Sequence, residues 1–313
     1  MPRLIDTDTT EQLDLPTVID MLETSDFDTR DEDAFAEWGA TLKKLANNRG
    51  FLADMMIAEL KQRCDGQIRD NQYSAQVVML HISSQRFMMR ANLWPAEADA
   101  VVRQSGTDPF FYHVPHDHNF SFLTVGYLGP GYWSDYYEYD YGDVAGVPGE
   151  PVDLRFVEKS RLEEGKVMLY RAHKDVHLQL PADALSVSLN IVETGHCTTF
   201  RDQYRFDLDA GAIDGIMTRT SLEPLLMVAA HHGGGNGIDL VESFAASHPS
   251  DRIRWCALRA RAGAETDLDA RIAVLEEGAR GSSLLVAQMA RRMIAGLERG
   301  RAWIETPPLG IAA

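Results

Sequence analysis

Tyr112-His113-Val114-Pro115-His116-Asp117-His118 stands inside Phe110 to Asn119, a stretch that reads as a β-strand and precedes another at Phe122 to Leu128. Side chains two apart on a strand project from one face, so His116 and His118 present their imidazoles together. Two nitrogen donors on one wall need a third from a different strand. His177 answers that need at the head of His177 to Leu180, twelve residues after Gly165, and His173 in the preceding turn competes for the same role. For the pair alone, the competing interpretation is two satisfied imidazoles on a half-exposed strand. The downstream Gly-x11-His and the surrounding β segments favour a metal.

Outward from this motif the apolar period is two. Ser74 to Ser83, Arg86 to Trp94, Ser134 to Tyr141, Val152 to Glu158, Lys166 to Arg171 and Leu185 to Val192 complete a series of short strands, separated by turns such as Gly129-Pro130-Gly131 and Val147-Pro148-Gly149-Glu150. The expected fold is mainly β, an antiparallel barrel or double-stranded β-helix. Helical spacing flanks it: three helices between Leu15 and about Gln67, then five after Tyr204, over Leu222 to Ala230, Ile238 to Ala246, Asp251 to Ala260, Leu268 to Glu277 and Leu284 to Leu297. Three regions follow. Residues 1–72 are an N-terminal helical region, 73–206 the barrel, and 207–313 a C-terminal α-helical hairpin domain suited to packing or to a protein partner.

The residues resemble the cupin superfamily, whose first motif carries His-x-His and usually a Glu, and whose second carries one His after a Gly-led strand. Where the Glu would fall stand Phe122 and Leu123, which leaves three histidines. That set is similar to the thiol dioxygenases, and the cysteine dioxygenase group in particular: Pro115-His116-Asp117-His118 resembles its Ile-His-Asp-His, Ser186-Val187-Ser188-Leu189 its Val-Ser-Leu, with helices before the barrel. The resemblance covers residues 86 to 206 at most. It implies a cupin-type barrel, Fe(II) on His116, His118 and His177, and O2 with a small or peptide-borne substrate such as a thiol. It also implies that Arg90, 26 residues before His116, grips a substrate carboxylate. An outward arginine on an edge strand is the competing reading. Ser188 and Asn190 are candidate polar neighbours of the site, standing with Val192 where the family has Ser-His-Tyr; Leu123 stands where its crosslinked cysteine would be.

Other metals suit the same ligands. Zinc or another divalent ion on three imidazoles and a water would give a hydrolase or lyase. A 2-oxoglutarate oxygenase would need a carboxylate, and Asp117 points away while Glu138 depends on its strand lying beside the motif. A ligand-binding cupin that acts as a sensor or scaffold, without catalysis, is the rival from another class. The aromatic hairpin from Gly129 to Asp143 reads as barrel packing or as the wall of a larger substrate pocket.

Thirty Lys+Arg against 47 Asp+Glu give a formal charge of -17, which repels polyanions and disfavours nucleic acid and anionic membrane as partners. Between Asp6 and Glu37 twelve carboxylates meet one base, Arg30. No apolar run has the length of a membrane span, and Met1 to Thr10 lack a secretory pattern, so a cytoplasmic location is expected. The three cysteines, Cys64, Cys197 and Cys256, are far apart and read as buried thiols. His231-His232-Gly233-Gly234-Gly235-Asn236-Gly237 lacks the Lys-Ser/Thr of a phosphate loop and reads as a flexible helix connector.

Overall fold

A computed structural model describes residues 1–304 apart from 72, 75, 84 and 85, and only the backbone at 70, 196 and 197. The thiol of Cys197 lies outside the described residues. Strands β1 (Arg3–Ile5), β2 (Val77–Ile82), β3 (Phe87–Trp94), β4 (Phe122–Leu128), β7 (Val167–Tyr170) and β9 (Ser186–Glu193) form a six-stranded sheet in the order β1-β7-β4-β9-β3-β2. Strands β5 (Trp133–Glu138), β6 (Arg155–Arg161) and β8 (Asp175–Leu180) form a second sheet, ordered β6-β5-β8. A hairpin of β10 (Tyr204–Asp207) and β11 (Ala212–Ile216) is the third.

Alternation sorts the six-stranded sheet into two faces. Phe87, Met89 and Ala91 of β3, Leu123 and Val125 of β4, and Leu189 and Ile191 of β9 turn to the side covered by helices α1 (Leu15–Thr24), α2 (Glu32–Glu37) and α3 (Gly39–Asn47), which insert Val18, Leu22, Phe35, Leu42 and Leu45. Trp94, Phe122, Met168, Tyr170 and Val192 turn to the opposite side and pack with Tyr132 and Tyr136 of the second sheet. Helices α4 (Phe51–Lys61) and α5 (Asp65–Asp70) follow, and α6 (Ala100–Ser105) comes after β3. The outer edge of β2 is closed by amide side chains: Gln67 exchanges hydrogen bonds with both main-chain groups of Met79, and Asn71 donates to the Val77 carbonyl at 2.6 Å.

The mainly β expectation needs correction, because helix takes 43% and strand 24%. The sheets also do not close into a continuous barrel. Five short helices replace the three expected before β2; Arg63 and Cys64, both at φ 59, break the path between α4 and α5. Cys64 is half-buried there, whereas Cys256 is buried.

The chain divides into two compact units, the first comprising Met1–Asp143, Pro151–Thr198 and Gln203–Asp214. The second takes Val144–Glu150, Thr199–Asp202 and the chain from Gly215 onward. Its helices are α7 (Leu222–His232), α8 (Gly234–Ser247), α9 (Asp251–Ala264), α10 (Leu268–Ala279) and α11 (Leu284–Ile304). Helix α9 is central: Ile253, Cys256, Ala257 and Ala260 pack with α7 and α8, while Trp255, Leu258 and Ala262 pack with α10 and α11. The glycine run is helical from Gly234, contrary to the connector reading, because a Cβ at Gly237 would lie 2.1 Å from the Ala229 carbonyl oxygen. Lacking one, α8 starts tightly against α7. Arg252 is 3% exposed and binds Asp202 at 2.5 Å, Glu223 at 3.0 Å and the Thr199 carbonyl at 2.8 Å. Burial raises the Asp202 pKa even though Arg252 opposes it.

Two substitutions test these cores by denaturant unfolding. Leu42→Ala should lower stability by about 2–5 kcal/mol, a loss expected for a fully buried leucine. Arg252→Ala strands two acidic partners and should cost about 3–5 kcal/mol, whereas a loss below 1 kcal/mol would show that this ion cluster does not hold the second unit.

Candidate metal centre

Strand β8 supplies the first ligand. His177 pairs with Tyr136 of β5 on one side. On the other side the His116 N–H donates to the His177 carbonyl at 3.1 Å and the His177 N–H donates back at 3.0 Å. The segment carrying His116 and His118 is therefore laid along β8 at this pair, and again where the His113 N–H donates to the Gln179 carbonyl at 2.9 Å. It is not the strand expected over Phe110 to Asn119: Phe111 and His113 adopt φ 58 and φ 61, and Pro115 has no N–H to add to a ladder. The local i, i+2 relation nevertheless holds, and both imidazoles enter the interior.

There the rings of His116, His118 and His177 converge, at 3%, 8% and 2% exposure. His118 Nε2 lies 3.1 Å from His177 Nε2, which lies 3.2 Å from His116 Nε2. His116 Nδ1 stands 2.7 Å from the Val114 carbonyl oxygen. A carbonyl can only accept, so Nδ1 carries the proton and the Nε2 lone pair is directed at the other two rings. Burial pushes the His116 pKa down to about 4. Burial, and then the neighbouring imidazoles, push His118 and His177 well below the usual histidine value; the charge of Arg90 adds to this at His118. These are neutral imidazoles, as metal ligation requires. The three could hold a divalent ion.

His173 does not join them. It sits at φ 59, donates its N–H to the His118 carbonyl at 2.8 Å and stacks on Tyr141 with ring centres 3.9 Å apart. Arg90 lies on β3, which is flanked by β2 and β9 and is not an edge strand. Its Nε is buried without a hydrogen-bond partner, its Cζ lies 5.1 Å from the Tyr73 ring centre, and burial lowers its pKa. Asn190, opposite Arg90 in the β3–β9 register, donates to Thr124 Oγ1 at 2.7 Å while its Oδ1 is buried and unpartnered. Ser188 Oγ accepts from Trp94 Nε1 at 3.0 Å. Glu138 ends β5 and binds Arg171 at 2.9 Å, so its carboxylate is committed to an ion pair.

A cluster of phenols completes the surroundings and was not singled out for the site from sequence. Tyr136 and Tyr170 share a hydrogen bond at 2.9 Å, and the Tyr170 and His177 ring centres are 5.1 Å apart. Burial raises the Tyr132 pKa to about 12 and that of Tyr170 further, so these phenols stay protonated. The aromatic stretch from Gly129 to Asp143 was the available signal; it is not a hairpin but the single strand β5 with its flanks, paired with β6 and β8, and its Tyr132, Tyr136 and Tyr139 are buried.

No family model matches the chain. No curated protein matches it either. Solved structures similar to it include that of the DMSP lyases RdDddP and RnDddQII, at 12% identity and TM-score 0.25 over 42% of this chain and 52% of that one. The chain thus spans about half the length of that relative. Hydroquinone 1,2-dioxygenase PnpCD in complex with Cd2+ and 4-hydroxybenzonitrile is similar at 11% identity and TM-score 0.25, over 42% and 71% of the two chains. A cupin domain from Bordetella pertussis Tohama I is similar at 13% identity and TM-score 0.23, over 40% and 98%.

Proposed function

We propose that the chain is a cupin-type mononuclear non-haem iron oxygenase, with Fe(II) held by His116, His118 and His177, acting on a small or peptide-borne anionic substrate such as a thiol. The convergence of three Nε2 atoms carries this reading. His177 Nε2 faces both other nitrogens, and a neutral ring has at most one proton to share between two contacts. A cation satisfies all the lone pairs at once. Two nitrogens bonded to one ion at about 2.1 Å stand about 3.0–3.4 Å apart at octahedral to tetrahedral angles, a range that contains both measured separations.

Iron held there would supply redox chemistry with O2 and leave coordination positions open to substrate. The protein's own groups do the rest. Arg90 is a buried cation, which suits a bidentate grip on a carboxylate. The Asn190 Oδ1 is a free acceptor opposite it in the register and suits a donor group on the same substrate. Phe122, Tyr136 and Tyr170 wall the imidazoles with rings and protonated phenols, and so exclude water and hold protons at the phenolic oxygens.

Anaerobic purification with metal analysis should find about one iron per chain, lost in His116→Ala, His118→Ala and His177→Ala and kept in His173→Ala. Loss of metal from the His173 variant alone would reassign the third ligand. A metal-free wild-type protein would end this reading, and stoichiometric zinc with turnover independent of O2 would make the chain a hydrolase or lyase.

With an oxidisable anionic thiol as substrate, Arg90→Ala should raise KM about 10- to 100-fold, because a charge-assisted hydrogen bond contributes about 1.5–3 kcal/mol. Iron content should be unchanged. Unaltered KM in that variant would remove Arg90 from substrate binding.

A further inference from the structure

Asp117 stands between His116 and His118, is fully buried, and has no part in holding the ion or the substrate as described above. Its Oδ2 accepts from the Tyr139 phenol at 2.6 Å, and its Oδ1 accepts from the Tyr204 main-chain N–H at 2.6 Å. The main chain of Asp117 is tied down as well. Its N–H donates to the Tyr204 carbonyl at 3.2 Å, and its carbonyl accepts from Gln203 Nε2 at 2.8 Å. Two residues earlier on the same side, the Phe206 N–H donates to the Pro115 carbonyl at 3.0 Å.

These bonds matter because the segment has no ladder of its own. A strand fixes the pitch between residues i and i+2 through a continuous ladder, whereas this segment meets its neighbours through isolated bridges, His116 to His177 and Tyr112 to Gln179 of β8, and His116 to Arg205 of β10. On its other side the anchorage runs through Asp117 to β10 and to the phenol that follows β5. We infer that Asp117 is a positioning residue of the metal centre: its carboxylate, held by Tyr139 and Tyr204, sets the spacing and aim of the His116 and His118 imidazoles. The inference rests on the proposed metal reading. Burial and the Asp117 charge together keep Tyr139 protonated, so the phenol remains a donor. The competing role is purely structural, with the carboxylate serving only to dock the β10–β11 hairpin.

Cobalt(II) separates the two. Metal-free wild type, Asp117→Asn, Tyr139→Phe and the double variant are titrated with Co(II) against a chromophoric chelator, and the visible ligand-field spectrum and the thermal unfolding of each metal-free protein are recorded alongside. A positioning role predicts a loss of Co(II) affinity of about 10- to 100-fold in Asp117→Asn, as found for groups that orient metal ligands, with a shifted absorption maximum. Tyr139→Phe should lose less, about fivefold, and should add nothing to Asp117→Asn, since the phenol acts through that carboxylate. Folded variants with wild-type affinity and spectrum, whatever their melting temperature, would overturn the inference. Should Asp117→Asn fail to fold, Tyr139→Phe decides alone, and wild-type binding by it would overturn the inference too. A wild type that binds no Co(II) would overturn the metal reading itself.

Discussion

Three neutral imidazoles face one another in a buried interior, and their mutual repulsion must be relieved. Hydrogen bonding relieves it only in part, because the Val114 carbonyl claims the His116 Nδ1 proton and one proton at His177 cannot serve both neighbours fully. The Nδ1 atoms of His118 and His177 are buried without partners. Protonation would add a buried charge, which burial opposes at every one of these rings. A divalent cation could satisfy the set.

The two sheets divide the labour. The six-stranded sheet turns apolar residues toward the helices on one face, while the other sets Arg90, Asn92, Thr124, Ser188 and Asn190 beside the apolar Trp94, Phe122, Met168, Tyr170 and Val192. Three of their buried atoms, Arg90 Nε, Asn92 Oδ1 and Asn190 Oδ1, have no hydrogen-bond partner inside the protein, and such atoms are costly to leave unpaired. The three-stranded sheet brings His177 and Tyr136 to that face, where Tyr136 meets Tyr170 of β7. Under the proposed function, the three imidazoles, Arg90 and the Asn190 Oδ1 would together suit a substrate with both an anionic end and a hydrogen-bond donor.

Much of this was legible in the residues. The strand Phe122–Leu128 matches its expected bounds, since Phe122 serves one core and Leu123, Val125 and Tyr127 the other. His116 and His118 were paired by spacing alone, although the reason they share a face differs from the one expected: the segment is irregular, and its geometry depends on long-range partners in β8 and β10. No local pattern encodes those partners. The β10–β11 hairpin was missed because four- and five-residue strands offer too little alternation. The glycine run misled for a related reason. Glycine signals flexibility in isolation, but here its missing Cβ permits the close start of α8 against α7, which only the tertiary contact reveals.

X-ray absorption at the metal edge of the loaded protein tests the central claim most directly. Three imidazole nitrogens at about 2.0–2.2 Å, with the multiple scattering of the rings, are expected, reduced in number by His177→Ala and unaffected by His173→Ala. A shell dominated by sulfur or carboxylate oxygen, or a nitrogen count unchanged by His177→Ala, would contradict the account.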